Sequence, residues 1–252
     1  AKEYFELSAK RNNSYAFINL GNFYANGLGV EKNFNKAKEY YELSINQNNS
    51  DALISLGNLY ANKFGVDHDY SKAKEYYESA INKNNSDGYV NLGNLYANGH
   101  GVKQDYSKAK ELYELAVKMN NNSKALNSLG VLYEKGLYVE QNYYKALEYY
   151  TKAAKQNNSD AFNNLGYLYE NGFAVFKSYS KAREFYELSA NLNNSDAFIN
   201  LGILYLNGLG VNQNYYKAME YFVLSAKQNN SDALINLGFM YKNGYGVKQD
   251  YS

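Results

Sequence analysis

The sequence predicts an all-α repeat solenoid of about 14 helices, and three observations support this prediction. A Leu-Gly dipeptide recurs seven times in 252 residues, at steps of 36, 36, 37, 36, 36 and 36. Fixed periods of this length are typical of arrays in which each repeat packs only on its neighbours. Each period also contains two apolar patterns of helical spacing and recurring helix-capping residues. The glycines of the dipeptide are Gly21, Gly57, Gly93, Gly130, Gly166, Gly202 and Gly238.

The first helix of each repeat begins at an Asn-Asn-Ser triplet. In the third repeat we expect Ser86 to be its N-cap, with Asp87 near the positive end of the helix dipole. Apolar residues continue at helical spacing to Tyr96, and Gly99 is predicted to end the helix in a left-handed conformation. Each triplet is formally an N-glycosylation acceptor as well, but we favour helix capping by its serine. The triplets begin at residues 12, 48, 84, 121, 157, 193 and 229.

The second helix follows a short loop. In the third repeat Val102 is predicted to return to the core and Asp105 to cap a helix over residues 106–118, with Ala109 where the two helices approach closely. Equivalent caps are Asn33, Asp69, Asn142, Ser178, Asn214 and Asp250. We therefore expect one array over residues 1–252, with a lone second helix over 1–13, repeats from about residues 14, 50, 86, 123, 159 and 195, and a first helix with its loop over 231–252. The half-repeats predict either a longer protein or end-to-end stacking.

Departures from the repeat are expected to disturb its regularity. Lys63 replaces the glycine that ends the first helix, and because a left-handed lysine costs about 1 kcal/mol we expect that loop to rearrange. Tyr138 and Ala174 replace the second loop glycine in the fourth and fifth repeats, and one residue is inserted near 120–122. The fourth and fifth repeats are therefore predicted to be the least regular part of the array.

The repeated pattern resembles a known family. Residues 92–109 read Leu-Gly-Asn-Leu-Tyr-Ala-Asn-Gly-His-Gly-Val-Lys-Gln-Asp-Tyr-Ser-Lys-Ala. This is similar to the Sel1-like repeat, a relative of the tetratricopeptide repeat, and the similarity covers the whole chain. The resemblance implies a right-handed αα superhelix that serves as a scaffold or adaptor. One disulfide-stapled bacterial branch of the family has been linked to β-lactam binding, but this chain contains no Cys and its activity is not carried over.

Composition excludes several kinds of partner and chemistry. Lys and Arg number 26 and Asp and Glu number 25, so the net charge of +1 predicts neither nucleic acid nor a membrane as a partner. No apolar run reaches the roughly 20 residues of a membrane span, and no signal segment is recognised at the N-terminus. The absence of Cys excludes disulfides and thiolate sites.

No catalytic, metal-binding or cofactor-binding set is predicted. The stretch 27–30, Gly-Leu-Gly-Val, and its copies join two helices, whereas a phosphate-binding loop follows a strand. His68 and His100 stand alone in loops, which does not suit a zinc site. Tyrosine pairs such as Tyr76-Tyr77 are expected to pack in the core. Lysines and glutamates four residues apart on the second helices are predicted to be solvated pairs, namely Lys74 with Glu78 and Lys110 with Glu114.

A specific binding hypothesis concerns the face of the first helices that lines the inside of such superhelices. A short polar residue precedes every Leu-Gly, and stacking would align these residues in a ladder that suits the backbone of an extended peptide. The ladder resembles the asparagine ladder of some tetratricopeptide superhelices. An alternative is that these residues merely keep the surface hydrated. The predicted peptide-binding residues are Asn19, Ser55, Asn91, Ser128, Asn164, Asn200 and Asn236, with Asn22, Asn58 and Asn94 three positions further on the same face.

The position after the glycine becomes apolar in the later repeats, where it is Val131, Tyr167, Ile203 and Phe239. Contiguous exposed apolar surface usually marks a contact site. We therefore predict an apolar contact patch of Tyr167, Ile199, Ile203, Leu206, Ile235 and Phe239. The alternative is that curvature or a continuation of the array buries these residues.

Together these patterns predict a protein- or peptide-binding scaffold that is not an enzyme. The partner's backbone is expected along the asparagines and its apolar side chains near the C-terminal repeats. One alternative is a structural module that assembles end to end through its terminal helices. The other is a hydrolase-like enzyme, which is disfavoured because the chain has no Cys and no clustered acid and base.

Overall fold

The computed structural model describes residues 1–62 and 69–249 of the chain. The described residues form fourteen α-helices and no strand, which confirms the predicted all-α solenoid class. The chain divides into two compact units, Ala1–Ala125 and Leu126–Ser252. The helices are α1 (Lys2–Ala9), α2 (Ser14–Asn26), α3 (Phe34–Asn46), α4 (Asp51–Ala61), α5 (Tyr70–Asn82), α6 (Ser86–Asn98), α7 (Tyr106–Asn120), α8 (Ser123–Lys135), α9 (Tyr143–Ala154), α10 (Ser159–Asn171), α11 (Tyr179–Asn191), α12 (Ser195–Asn207), α13 (Tyr215–Ala226) and α14 (Ser231–Asn243).

Both units are stacks of helix pairs. In unit 1 the first helices α2, α4 and α6 each pack against the following second helix, and the second helices α3 and α5 also pack against α4 and α6. In unit 2, α10 pairs with α11, α12 with α13, and α13 also packs against α14. A fully buried alanine near the start of each second helix allows the close approach that was predicted for Ala109. These alanines are Ala37, Ala73, Ala109, Ala146, Ala182 and Ala218.

The predicted caps of the second helices are confirmed. Each cap side chain accepts a hydrogen bond from the backbone N–H three residues later, as Asp105 does from Lys108 at 3.0 Å. This bond satisfies one of the N–H groups that the first turn of a helix leaves without a partner. The confirmed caps are Asn33, Asp69, Asp105, Asn142, Ser178 and Asn214, whereas Asp250 lies outside the described residues.

The predicted serine caps of the first helices are wrong by one residue. The middle asparagine of the triplet is the N-cap, as Asn85 shows by accepting from the backbone N–H of Asp87 at 3.0 Å, and the serine is the first helical residue. The first asparagine takes the left-handed conformation, with φ of 57° at Asn84. This turn brings the middle side chain over the first N–H groups of the helix. At α4, Ser50 occupies the cap position without a capping bond from its side chain, and Asn49 accepts from Asp51 instead.

Five of these middle asparagines also form hydrogen bonds to the repeat before them. Nδ2 of Asn85 donates to Oδ1 of Asp51 at 2.8 Å and to Oγ of Ser50 at 3.0 Å. Nδ2 of Asn194 donates to Oδ1 of Asp160 at 2.7 Å. Further bonds of this kind run from Asn49 to Ser14, from Asn122 to Ser86 and Asp87, and from Asn230 to Ser195 and Asp196. The triplet therefore supplies a turn, a cap and a link between repeats.

The loops keep their form where glycine is replaced. Gly99 ends α6 with φ of 69°, as predicted. Tyr138 and Ala174 take up the left-handed conformation of the glycines that they replace, with φ of 62° and 57°. The inserted residue is absorbed by α7, which is lengthened to 15 residues. The predicted rearrangement at Lys63 lies outside the described residues, as does His68.

Candidate binding face of the first helices

A buried aromatic ring of each second helix covers the glycine of the preceding first helix. A Cβ atom at Gly93 would lie 2.6 Å from Cε1 of Tyr113, and one at Gly57 would lie 2.5 Å from Cε1 of Tyr77. Such separations leave no room for a side chain, so glycine is required for the two helices to pack. The other covered glycines are Gly21, Gly130, Gly166 and Gly202, under Tyr41, Tyr150, Tyr186 and Phe222.

The hydroxyl groups of these tyrosines bind three of the predicted peptide-binding asparagines. Tyr41 donates to Oδ1 of Asn22 at 2.8 Å. Tyr77 and Tyr113 donate to Oδ1 of Asn58 and Asn94, each at 2.7 Å. Each amide is thereby turned so that Oδ1 faces the ring and the two N–H groups of Nδ2 face away from it. Within the described residues no hydrogen bond uses these Nδ2 atoms, so they remain available as donors.

Burial raises the pKa of two of these tyrosine hydroxyls. The pKa of Tyr41 rises from its ordinary value near 10 to about 12, and the pKa of Tyr77 is raised in the same direction. Both hydroxyls therefore stay hydrogen-bond donors well above neutral pH, and the orientation of the Asn22 and Asn58 amides that they fix is retained there as well.

The row that directly precedes Leu-Gly is held differently. Nδ2 of Asn19 donates to the backbone oxygen of Tyr15 at 2.8 Å, and Nδ2 of Asn91 donates to that of Asp87 at 2.9 Å. Ser55 and Asn236 also donate to the carbonyl four residues earlier in their own helices. The side-chain oxygens of this row therefore remain as acceptors, next to the Nδ2 donors of Asn22, Asn58 and Asn94. Ser128 is half-buried on α8.

In unit 2 two members of the same row join neighbouring repeats. Nδ2 of Asn164 donates to Oδ1 of Asn127, and Nδ2 of Asn200 donates to Oδ1 of Asn163, both at 2.9 Å. The acceptors stand where the other repeats have an aliphatic residue such as Ile54. The predicted ladder thus makes real inter-repeat bonds in unit 2, where it serves packing between repeats.

A polar pocket of about 220 Å³ opens on this face in unit 1. Amide side chains of two successive repeats line it together with Tyr41. Asn22 and Asn58 present Nδ2 there, while Nδ2 of Asn26 is occupied by the backbone oxygen of Asn22 at 3.0 Å. The pocket therefore presents both donors and acceptors, as a ligand amide or peptide group requires. Its lining consists of Asn22, Ala25, Asn26, Tyr41, Ser55, Asn58, Leu59 and Asn62.

Two glutamates that the sequence reasoning missed replace the asparagines in unit 2. Tyr150 donates to Oε2 of Glu134, and Tyr186 donates to Oε2 of Glu170, each at 2.6 Å. Burial and the nearby carboxylate raise the pKa of both tyrosines. The sequence could have revealed them, because two positions of the repeat change together: the glutamates appear only where the asparagine after the glycine is lost.

The predicted apolar contact residues do not form one exposed patch. Ile199 is buried in a core cluster, and Ile203 and Leu206 are partly buried against it. Tyr167 and Phe239 are 40% and 47% exposed, and Ile235, the equivalent of Ile199, is 70% exposed. Phe239 and Tyr167 each pack on a loop aromatic, Tyr245 and Phe173 respectively. Of the six predicted contact residues, the three exposed ones are therefore Tyr167 on α10 and Ile235 and Phe239 on α14.

The described part of the chain offers little for other chemistry. It contains no group of three or more His, Cys, Asp or Glu side chains that would suit a metal ion. No helix in the same residues has the length and apolar character of a membrane span. The ring of His100 stacks on Tyr70 with centroids 4.9 Å apart. The predicted solvated pairs are present on the second helices, with Lys74 to Glu78 at 3.7 Å and Lys110 to Glu114 at 2.7 Å.

The sequence was compared with known families and proteins. The model of the Sel1 repeat matches it over residues 14–49, 50–85, 86–121, 123–158, 159–194, 195–230 and 231–252. None of the curated proteins with which the sequence was compared is significantly similar to it.

Several solved structures are similar to the chain. A Sel1 repeat protein from Oxalobacter formigenes is 29% identical with a TM-score of 0.66, over 86% of this chain and 89% of that one. The protective antigen c5321 of uropathogenic Escherichia coli, described as having an SLR fold, is 30% identical with a TM-score of 0.57, over 99% of this chain. The chain spans about half of that antigen, 53% of its length. Yeast Tom70 is 15% identical with a TM-score of 0.57, over 96% of this chain and 51% of Tom70, a likeness of fold alone.

Proposed function

Because the chain belongs to the Sel1 repeat family, whose members are commonly protein-interaction scaffolds, we propose that it is a scaffold or adaptor that binds an extended peptide on its first helices. The observation that carries this proposal is the polar pocket between α2 and α4. Its asparagine amides are already oriented by buried tyrosines, so binding does not require them to lose much further freedom.

The chemistry of the pocket favours a peptide backbone over a charged ligand. An extended backbone alternates carbonyl acceptors and N–H donors, and this face alternates Nδ2 donors with side-chain oxygen acceptors. The proposed contacts on unit 1 are Asn19, Asn22, Ser55, Asn58, Asn91 and Asn94. Asn164 and Asn200 are proposed to contribute less, because their amides already bind the preceding repeat.

The test uses a substitution that removes the outward donors without disturbing the core. Asn58→Asp and Asn94→Asp keep an oxygen for Tyr77 and Tyr113 but replace the outward N–H groups by a carboxylate oxygen. Peptides selected on the unaltered chain from a random displayed library serve as probes. We expect the dissociation constant to rise about tenfold, which corresponds to about 1.4 kcal/mol.

The matched control lies on the second helices. Lys74→Ala and Lys110→Ala remove exposed charges that form only surface pairs, and we expect them to change the dissociation constant less than about twofold. Equal losses for the aspartate and alanine variants would contradict peptide binding on the first helices.

A second candidate is end-to-end assembly through α1 and α14. It is favoured by the face of α14, where a Cβ at Gly238 would meet none of the described residues within 4 Å and Leu234 and Ile235 are exposed. Sedimentation velocity over a range of concentrations tests it. Assembly that Ile235→Glu abolishes would support this candidate, and a monomer at every concentration would exclude it.

A further inference from the structure

Five buried tyrosines in successive repeats donate to acceptors of two kinds. In the first three repeats the acceptor is an asparagine directly after the covered glycine. In the next two it is a glutamate four residues after that glycine, Glu134 or Glu170. A carboxylate only accepts, so the tyrosine must be the donor in the later repeats, and the same geometry holds in the earlier ones.

The residues at the two acceptor positions change together. Where asparagine follows the glycine, the second position is an alanine, namely Ala25, Ala61 or Ala97. Where that second position is glutamate, Val131 or Tyr167 has replaced the asparagine. In the sixth repeat Phe222 has no hydroxyl, and both positions are aliphatic, Ile203 and Leu206. An acceptor is therefore present in each repeat that has a buried hydroxyl, and absent in the repeat that has none.

This matching has a physical cause and a consequence at the surface. A buried hydroxyl without a hydrogen-bond acceptor destabilises the folded chain. A buried tyrosine therefore requires an acceptor at one of the two positions. The bond then fixes which atoms remain outside. An asparagine accepts the bond from the tyrosine hydroxyl through Oδ1 and turns Nδ2 outward. A glutamate accepts it through Oε2 and leaves Oε1 free.

We propose that the buried ring of each second helix, with its acceptor, sets which chemical group of a bound peptide each repeat accepts. Repeats one to three present N–H donors and select carbonyl oxygens. Repeats four and five present carboxylates and select a lysine or arginine side chain. The sixth repeat presents an aliphatic surface. This inference rests on the proposed peptide binding and adds the order of groups along the partner within each unit.

The surroundings of Glu134 and Glu170 support their assignment to a cation. Neither carboxylate forms an ion pair with a basic side chain in residues 1–62 and 69–249. Tyr167 is 40% exposed, and its pKa is raised by burial first and then by the charges of Glu134 and, more weakly, Glu170. An exposed aromatic side chain that interacts with two carboxylates provides a favourable environment for an ammonium or guanidinium group.

The first experiment exchanges the acceptors of two neighbouring repeats. Asn94→Val with Ala97→Glu gives the third repeat the pattern of the fourth, and Val131→Asn with Glu134→Ala does the reverse. We expect each double variant to melt within about 2 °C of the unaltered chain, while Asn94→Val alone melts about 4 °C lower because Tyr113 loses its acceptor. Equal melting temperatures of the Asn94→Val variant and the Asn94→Val/Ala97→Glu variant would show that the tyrosine and its acceptor are not coupled.

The second experiment measures selectivity with peptides selected on the unaltered chain. Each arginine-containing peptide is compared with a copy in which citrulline, which is uncharged and similar in shape, replaces arginine. We expect the Asn94→Val/Ala97→Glu variant to increase the preference for arginine at least about threefold, and the reverse exchange to reduce it by a similar factor.

The outcomes separate the two proposals. If peptides bind but the preference for arginine is unchanged in both double variants, the assignment of groups to repeats is overturned and peptide binding stands. If no peptide is selected, peptide binding fails and the selectivity fails with it, whereas the melting temperatures still decide whether ring and acceptor are coupled.

Discussion

The hydroxyl of Tyr77 donates a hydrogen bond of 2.7 Å to Oδ1 of Asn58, while the ring of the same tyrosine covers Gly57. One side chain thus fixes both the packing of two helices and the orientation of a surface amide. Because Tyr77 is buried and Asn58 is half-buried at the surface, the core determines what the surface presents.

The first prediction concerns the covered glycine. Gly93→Ala places a Cβ 2.6 Å from a ring carbon of Tyr113, which is buried. We expect the free energy of unfolding in urea to fall by about 1–3 kcal/mol, despite the higher helix propensity of alanine. Gly238→Ala is the matched control, because no neighbouring side chain among residues 1–62 and 69–249 lies within 4 Å of its Cβ, and we expect a gain of about 0.5–1 kcal/mol. A loss of similar size at both glycines would contradict the packing argument.

The second prediction concerns alkaline pH. Burial raises the pKa of Tyr41 to about 12, against about 10 in the unfolded chain. Between these values the unfolded chain has released a proton that the folded chain retains, so stability is complete below about pH 10 and falls as the pH rises toward 12. Tyr77, Tyr150 and Tyr186 are shifted in the same direction.

Tyrosinate absorbance measured together with circular dichroism checks this prediction. The buried tyrosines with a raised pKa, Tyr41, Tyr77, Tyr150 and Tyr186, should ionise only as the helices melt. Complete ionisation of all tyrosines while the helices remain intact would contradict it.

The third prediction concerns the link between repeats. Asn194 caps α12 and also donates to Asp160 at 2.7 Å, whereas Asn158 caps α10 and the sequence has Lys124, which cannot accept a hydrogen bond, at the position equivalent to Asp160 one repeat earlier. We expect Asn158→Ala to lower the free energy of unfolding by about 1 kcal/mol and Asn194→Ala to lower it by about 1 kcal/mol more, as measured by urea denaturation. Equal decreases would mean that the bond to Asp160 adds nothing to the stability of the stacked repeats.

The sequence revealed local features better than distant ones. The caps of the second helices, such as Asp105, were predictable because the N–H that each side chain binds is three residues away. The choice between Asn85 and Ser86 as the cap was not, because both residue types cap well and only the left-handed turn at Asn84 decides between them. The fixed orientation of the Asn58 amide depends on a tyrosine 19 residues away.

The glutamates of unit 2 were missed for a related reason. In isolation Glu134 and Glu170 resemble the many solvated glutamates of the helices, and only the hydrogen bonds from Tyr150 and Tyr186 give them a distinct role. Comparing the repeats position by position would have indicated it, because each glutamate accompanies the loss of an asparagine three positions earlier.

The fourth prediction tests the matching of ring and acceptor in the sixth repeat, which has neither a ring hydroxyl nor an acceptor. Phe222→Tyr introduces a buried hydroxyl where the two acceptor positions are Ile203 and Leu206, and we expect a loss of about 1–3 kcal/mol. Adding Ile203→Asn supplies the acceptor found in the first three repeats. The double variant should therefore be more stable than the sum of the two single changes indicates, by about 1 kcal/mol in a double-mutant cycle. Both single variants are measured by urea denaturation alongside it. Simple additivity would show that the tyrosine and the asparagine do not interact in this repeat, and that their association in the first three repeats has another origin.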